Sequence, residues 1–226
     1  MRSRTYKKIK ESAPQEPVTI KEAVTWLKNN NRSSFDETIE LHIHLGVDPK
    51  KSDQMVRGTA DLPAGNPKKP TIVVFTEEKK LQKESISSGA TESGGEELIE
   101  KISKAGSLDA DIAIAAPSMM PKITAIAKIL GPKGLMPNPK TGTVTPNPAE
   151  AVKDLLGGKT SFKMDQQGNI HAAIAKTSWE EEKISDNASA FIQSVNQARP
   201  QGAKGELIKS ISIKTTMGPS IKIATK

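Results

Sequence analysis

Residues 38–45 read Thr-Ile-Glu-Leu-His-Ile-His-Leu, and residues 72–75 read Ile-Val-Val-Phe. The contrast between these two runs decides the fold. In the first, Ile39, Leu41, Ile43 and Leu45 alternate with Thr38, Glu40, His42 and His44, a period of two that places one set on each face of a strand. A strand with one apolar and one polar face belongs in an antiparallel sheet wetted on one side. The second run is apolar throughout, as is Ile112-Ala113-Ile114-Ala115-Ala116. Strands of that kind are expected in a parallel sheet covered on both faces.

The neighbouring segments extend both patterns. Thr19-Ile20-Lys21-Glu22 is a capping box, and Ile20, Ala23, Val24 and Leu27 then form an apolar helical stripe. Helical stretches are expected at about 77–88, 95–105 and 119–130, giving βαβ alternation through residues 70–158. Beyond Gly157-Gly158 the first style returns. Residues 161–165 and 170–176 flank Gln166-Gln167-Gly168-Asn169, which reads as a hairpin turn. Ser178 with Glu181 is expected to cap a further helix, followed by strands at 207–216 and 220–224. The reading is therefore α+β for a discontinuous domain of residues 1–69 and 159–226, and α/β for a domain inserted at 70–158. Crossings near residues 67–70 and 156–158 form a double hinge in this scheme.

Charge divides the chain at the same places. The sequence carries 33 Lys and Arg against 26 Asp and Glu, a formal net charge of +7. Residues 70–158 hold 10 Lys and 11 acidic residues, whereas the remainder holds 23 basic and 15 acidic residues. An anionic partner is expected on the two-ended domain. Aromatic residues are 3 % of the chain and scattered, so an RNA partner would be read by shape and backbone rather than by stacked bases.

Several function classes are set aside. With no cysteine, disulfides, thiolate metal sites and cysteine nucleophiles are excluded. No apolar run approaches the roughly 20 residues of a membrane span, and the first eight residues lack the apolar core of a secretion signal. Gly158-Lys159-Thr160 imitates the end of a phosphate-binding loop, but Lys153 stands where the motif needs glycine, and the segment runs from helix to strand. His42 and His44 share a strand face at a metal-pair spacing, yet His171 is the only other histidine and they read as surface residues. No helix-turn-helix or zinc-finger signature suggests a DNA regulator. Neither a cofactor nor an enzymatic activity is expected.

Two passages go further. Ile129-Leu130-Gly131-Pro132-Lys133-Gly134-Leu135-Met136-Pro137-Asn138-Pro139-Lys140-Thr141-Gly142-Thr143-Val144 resembles the signature of the ribosomal L-one family, and Thr215-Thr216-Met217-Gly218-Pro219-Ser220 resembles its RNA-contacting turn. The resemblance continues in order through Phe35-Asp36-Glu37-Thr38, Leu45-Gly46-Val47-Asp48-Pro49, Ser52-Asp53-Gln54, Val56-Arg57-Gly58-Thr59, Gly94-Gly95-Glu96-Glu97 and Gly202-Ala203-Lys204-Gly205. It implies a Rossmann-like inserted domain and a bacterial-type, non-enzymatic, cytoplasmic protein, present as a monomer within the ribosome and not bound to membranes. Its implied partners are a large-subunit rRNA stalk junction, the exit-site tRNA whose release it assists, and a leader in its own messenger RNA that it represses.

Carried over by position, the RNA-binding residues are Phe35, Thr38, Glu40, Ser210, Thr216, Met217 and Gly218. Lys214 is added here because it shares a strand face with Ser210, Ser212 and Thr216. Gly218, lacking Cβ, is expected to let RNA approach its backbone. Read from residues alone, the Thr216–Gly218 stretch is equally a plain turn with Met217 in the core. For Lys133 and Lys140 the alternatives stay open: they reach RNA or tRNA, or their loop braces the inserted domain or sets the closed position of the hinge. Residues 2–10 carry no motif and are expected to order only on RNA.

Overall fold

The alternating run becomes the strand β1 (Thr38–Leu45), with Ile39, Leu41, Ile43 and Leu45 at 2 % exposure or less. A slip of one residue would turn this whole set to water, so burial fixes the register. The computed structural model describes residues 4–31, 33–200, 202–203 and 205–224. They divide into two compact units, Met1–Pro67 with Thr160–Lys226, and Lys68–Lys159.

In the first unit β1 lies between two antiparallel neighbours, β7 (Asn169–Lys176) and β8 (Ile208–Thr215), and β9 (Ile221–Ile223) completes the order β7-β1-β8-β9. One sheet face is covered by the helices α2 (Ile20–Asn29) and α8 (Glu181–Gln197), whose Val24, Leu27, Ile184 and Phe191 join the strand residues in one core. Thr19 and Glu22 cap α2 reciprocally, as the sequence pattern requires. The register of β1 on β7 shifts between Ile39 and Glu40, so that Ile174 and Ala175 are both fully buried. Buried Asn187 satisfies the carbonyl of Ile174 at 2.7 Å and binds residues 64 and 65 through its remaining groups. An unmatched carbonyl at such a bulge would be costly.

Residues 4–11 form a helix, α1 (Arg4–Glu11); residues 2 and 3 of the N-terminal stretch lie outside the described residues. Two expectations are corrected in this unit. Strand β6 (Lys159–Lys163) does not pair with β7 as a hairpin; it joins β2 (Arg57–Asp61) in a separate two-stranded sheet. Asp165 makes the link by accepting the backbone N–H groups of Gln167 and Asn169, and the chain passes from one sheet to the other. Ser178 does not cap α8: Asp36 captures its N–H and hydroxyl, Thr25 holds Glu181, and Glu180 occupies the cap position without a side-chain bond.

The second unit holds the parallel sheet β4-β3-β5, with β3 at Ile72–Phe75, β4 at Glu92–Gly94 and β5 at Ile112–Ala115. Successive residues of β3 enter different cores. Val73 and Phe75 pack with Leu98, Ile99 and Ile102 of α4 (Glu96–Ala105), while Ile72 and Val74 pack with Val152 and Leu155 of α7 (Pro148–Gly157). The helix α3 (Lys79–Ser87) lies between β3 and β4. A single helix expected at 119–130 is instead two short α segments, α5 (Met120–Ile123) and α6 (Ala127–Leu130), separated by a 3-10 turn at Thr124–Ile126. The Thr124 hydroxyl bonds back to the Met120 carbonyl, competing with the regular helix ladder.

Because the first unit's core draws only on residues 18–62 and 162–223, replacing residues 70–158 by a short linker should leave it folded. Circular dichroism and denaturant titration of that deletion protein check this: one cooperative transition is expected, and a featureless melt would contradict it.

Candidate nucleic-acid interface

The turn after β8 is held by a buried carboxylate. Glu37, only 2 % exposed, precedes β1 in phase with its buried residues and accepts the N–H of Met217 at 3.0 Å. Burial pushes its carboxyl up, but bonds from the hydroxyls of Thr215 and Ser33 and from the Met217 N–H outweigh this and hold it below the usual range. Thr216 is tied to the same strand. Its N–H donates to the Thr38 carbonyl at 3.1 Å, and its hydroxyl oxygen accepts the Thr38 N–H at 3.3 Å. The Gly218 N–H reaches the Thr215 carbonyl at 3.2 Å and hydroxyl at 3.1 Å.

This geometry alters two expectations. A Cβ on Gly218 would lie 2.5 Å from the Thr215 hydroxyl, so the glycine is demanded by the turn itself. A valine there would disturb the protein as well as any RNA contact. Met217 does not pack in the core; it is 64 % exposed, and Phe35 is 53 % exposed. Together with Lys214 and Thr216 they line a cleft of about 930 Å³, as do Tyr6, Ile9 and Lys10 of α1.

Glu40, directly opposite Lys214 in the ladder, pairs with its ammonium at 3.2 Å. Lys214, one of the residues expected to bind RNA, is therefore engaged within the protein. Both side chains are 32 % exposed, and a pair so accessible is worth about 1 kcal/mol or less, low enough for an anion to displace it. Ser210 is exposed on the same strand, opposite His44 and roughly 13 Å from Lys214 at the usual strand rise.

The histidines are not isolated. His42 faces His171 across the ladder, with their Nδ1 atoms 2.6 Å apart, and His44 contacts Asn169 at 2.8 Å. Burial and the positive fields of His171 and Lys214 lower the His42 pKa despite Glu40, so the ring is held neutral. Among the described residues no group of three His, Cys, Asp or Glu is arranged to hold a metal.

Lys133 lies in the second unit, where its ammonium donates to the Leu108 carbonyl at 2.9 Å. Its loop is tied within that unit: the Asn138 N–H bonds to the Thr143 hydroxyl, and Val144 makes a parallel bridge to Ala115 at the end of β5. The side chain of Lys140 lies outside the described residues; its backbone is part of a 3-10 turn. Glu37 escaped the sequence reading, although its phase with Ile39 and Leu41 placed it on the buried face.

A polar sheet face, a lip of exposed apolar side chains and a rigid turn define a binding protein. The comparisons sharpen that class. The sequence matches the ribosomal protein L1p/L10e family over residues 27–219. It is 47 % identical to the large ribosomal subunit protein uL1 of Salinispora arenicola over 205 residues, covering 91 % of this chain and 85 % of that one. Identity is 43 % to the uL1 protein of a Nocardioides species over 223 residues, 98 % of this chain and 92 % of the other. The chain belongs to the ribosomal protein L1p/L10e family, whose members are structural proteins of the cytoplasmic ribosome and not enzymes.

Replacing Glu37 with Gln should cost about 1–3 kcal/mol at neutral pH, because a charged acceptor of several bonds is lost. The folded carboxyl lies below its unfolded value, so its contribution is present above the ordinary Glu pKa of about 4.3 and disappears as pH falls through the folded value. Denaturant titrations of both proteins should therefore show a gap at pH 7 that narrows below about pH 4. A gap that stays constant across that range would contradict the assignment.

Proposed function

We propose that this chain is a constituent of the large ribosomal subunit that binds large-subunit rRNA at the junction of the mobile side stalk. The observation that carries the reading is the pair of exposed side chains, Phe35 and Met217, set beside a turn held rigid by Glu37 and Thr38. The segments that hold the chain's excess positive charge, residues 1–69 and 159–226, serve as its rRNA-binding domain. The relatives' name as large-subunit proteins supports the same assignment. A folded RNA would find backbone donors and hydroxyls at Thr38, Thr216 and Ser210, which suit ribose 2′-hydroxyls, while Glu40 accepts from a ribose or a base amine. Lys214 then exchanges Glu40 for a phosphate.

The proposal extends to two further roles. The inserted, Rossmann-like unit assists release of deacylated tRNA at the neighbouring exit site, with the loop of Lys133 and Lys140 as its candidate contact. The rRNA-binding surface also recognises a similar fold in the chain's own message and represses its translation. Ribosomes carrying the 70–158 deletion should release exit-site tRNA more slowly, and translation of the chain's own message should fall on adding the intact protein. Unchanged rates would remove the respective role.

Phe35→Ala and Met217→Ala test the main reading cleanly, because exposed side chains contribute little to folding. Competition between a stalk-junction RNA and a length-matched duplex, at about 50 and 200 mM salt, separates shape recognition from simple charge. The unaltered chain should prefer the junction at both salts. Each substitution should weaken junction binding roughly tenfold, about 1.4 kcal/mol, without lowering the unfolding midpoint. Equal, salt-abolished binding to both RNAs, or full affinity in both variants, would overturn the reading.

A further inference from the structure

We propose that α1 is a second wall of the RNA interface, so that the sugar–phosphate backbone of the bound RNA lies between α1 and the Thr216–Gly218 turn. The inference rests on the RNA-binding reading above and extends it to a helix of that domain in which the reading names no contact residue.

The helix has eight residues, Arg-Thr-Tyr-Lys-Lys-Ile-Lys-Glu. A helix that short is not stable alone in water, so its position depends on what it docks against. Tyr6 and Ile9, three apart and therefore on one face, are partly buried and line the cleft with Lys10. Arg4, Lys7 and Lys8 remain exposed, and Glu11 is the one acid against four bases. The tether is short: the Val18 N–H bonds to the Lys222 carbonyl, and the Ala224 N–H to the Val18 carbonyl, so the chain after α1 is fixed to the edge strand β9.

The cleft is thus lined by the apolar parts of Tyr6 and Ile9 from α1, by the exposed Phe35 and Met217, and by Lys10 and Lys214. An accessible carboxylate also belongs to its surroundings: Glu40, about a third exposed, holds the Lys214 that lines the cleft, whereas Glu37 is buried in the turn. An acidic peptide would meet the Glu40 carboxylate as a like charge. A nucleic acid brings phosphates to the lysines, ribose hydroxyls that can donate to carboxylates, and apolar ribose and base edges for Phe35 and Met217. RNA is the occupant whose chemistry matches all three.

Lys7→Gln, Lys8→Gln and Lys10→Gln combined remove charge while keeping good helix formers and the Tyr6–Ile9 anchor. The full chain is titrated with stalk-junction RNA across a salt series, beside a control carrying Lys79→Gln, Lys80→Gln and Lys83→Gln on α3. Expected is at least a roughly tenfold loss for the α1 variant near 100 mM salt, with a salt slope shallower by up to about 0.9 for each phosphate contact removed. The control should lose less than about twofold, although its charge change is identical. Unaltered affinity and slope in the α1 variant, or an equal loss in the control, would overturn this inference while leaving the unaltered chain's junction preference standing. Absence of that preference in the unaltered chain would overturn this inference together with the reading beneath it.

Discussion

The carboxylate of Glu37 is the constraint on which the candidate site depends. An ionised group at 2 % exposure is tolerated only when donors replace its water, and here they come from Ser33, Thr215 and the backbone of Met217. Ser33 precedes β1, whereas Thr215 ends β8 and Met217 follows it. Once they converge, Thr216 is delivered to Thr38, and Met217 has nowhere to turn but outward. The turn is therefore set without a partner, and in the proposed reading this reduces the ordering cost of binding. Gly218 belongs to the same constraint, since its N–H and its missing Cβ both answer to Thr215.

The open sheet face beside this turn is balanced rather than simply basic. Glu40 neutralises Lys214, and the His42–His171 contact lowers the affinity of His42 for a proton. Such a face does not attract every polyanion strongly. In the proposed reading it gains when a partner offers phosphate to Lys214 and a donor to Glu40 at once, a demand that favours a particular RNA shape over charge alone.

Much of this was legible in the sequence because burial enforces period. The alternation at 38–45 fixed which side chains of β1 face the core, and the uninterrupted run at 72–75 matched a strand whose successive residues enter two cores. Capping at Thr19 was also readable, being local. The misread cap and the misread hairpin were decided by distant partners. Ser178 looked like a cap until Asp36, far away in sequence, took its hydroxyl. Residues 159–163 looked like one arm of a hairpin, yet their partner is β2. Within the site, Phe35, Thr38, Thr216 and Met217 are brought together, whereas Ser210 sits further along β8 and Lys214 is already paired. The roles of Glu37 and Gly218 were hidden because both act on the protein's own turn.

The most direct measurement is amide hydrogen exchange of the full chain, resolved by residue, with and without the stalk-junction RNA. The account predicts added protection concentrated at residues 35–40 and 210–218, with the opposite face of the sheet unchanged. Protection confined to the loop at 131–142, with no change at the Glu37-held turn, would contradict it.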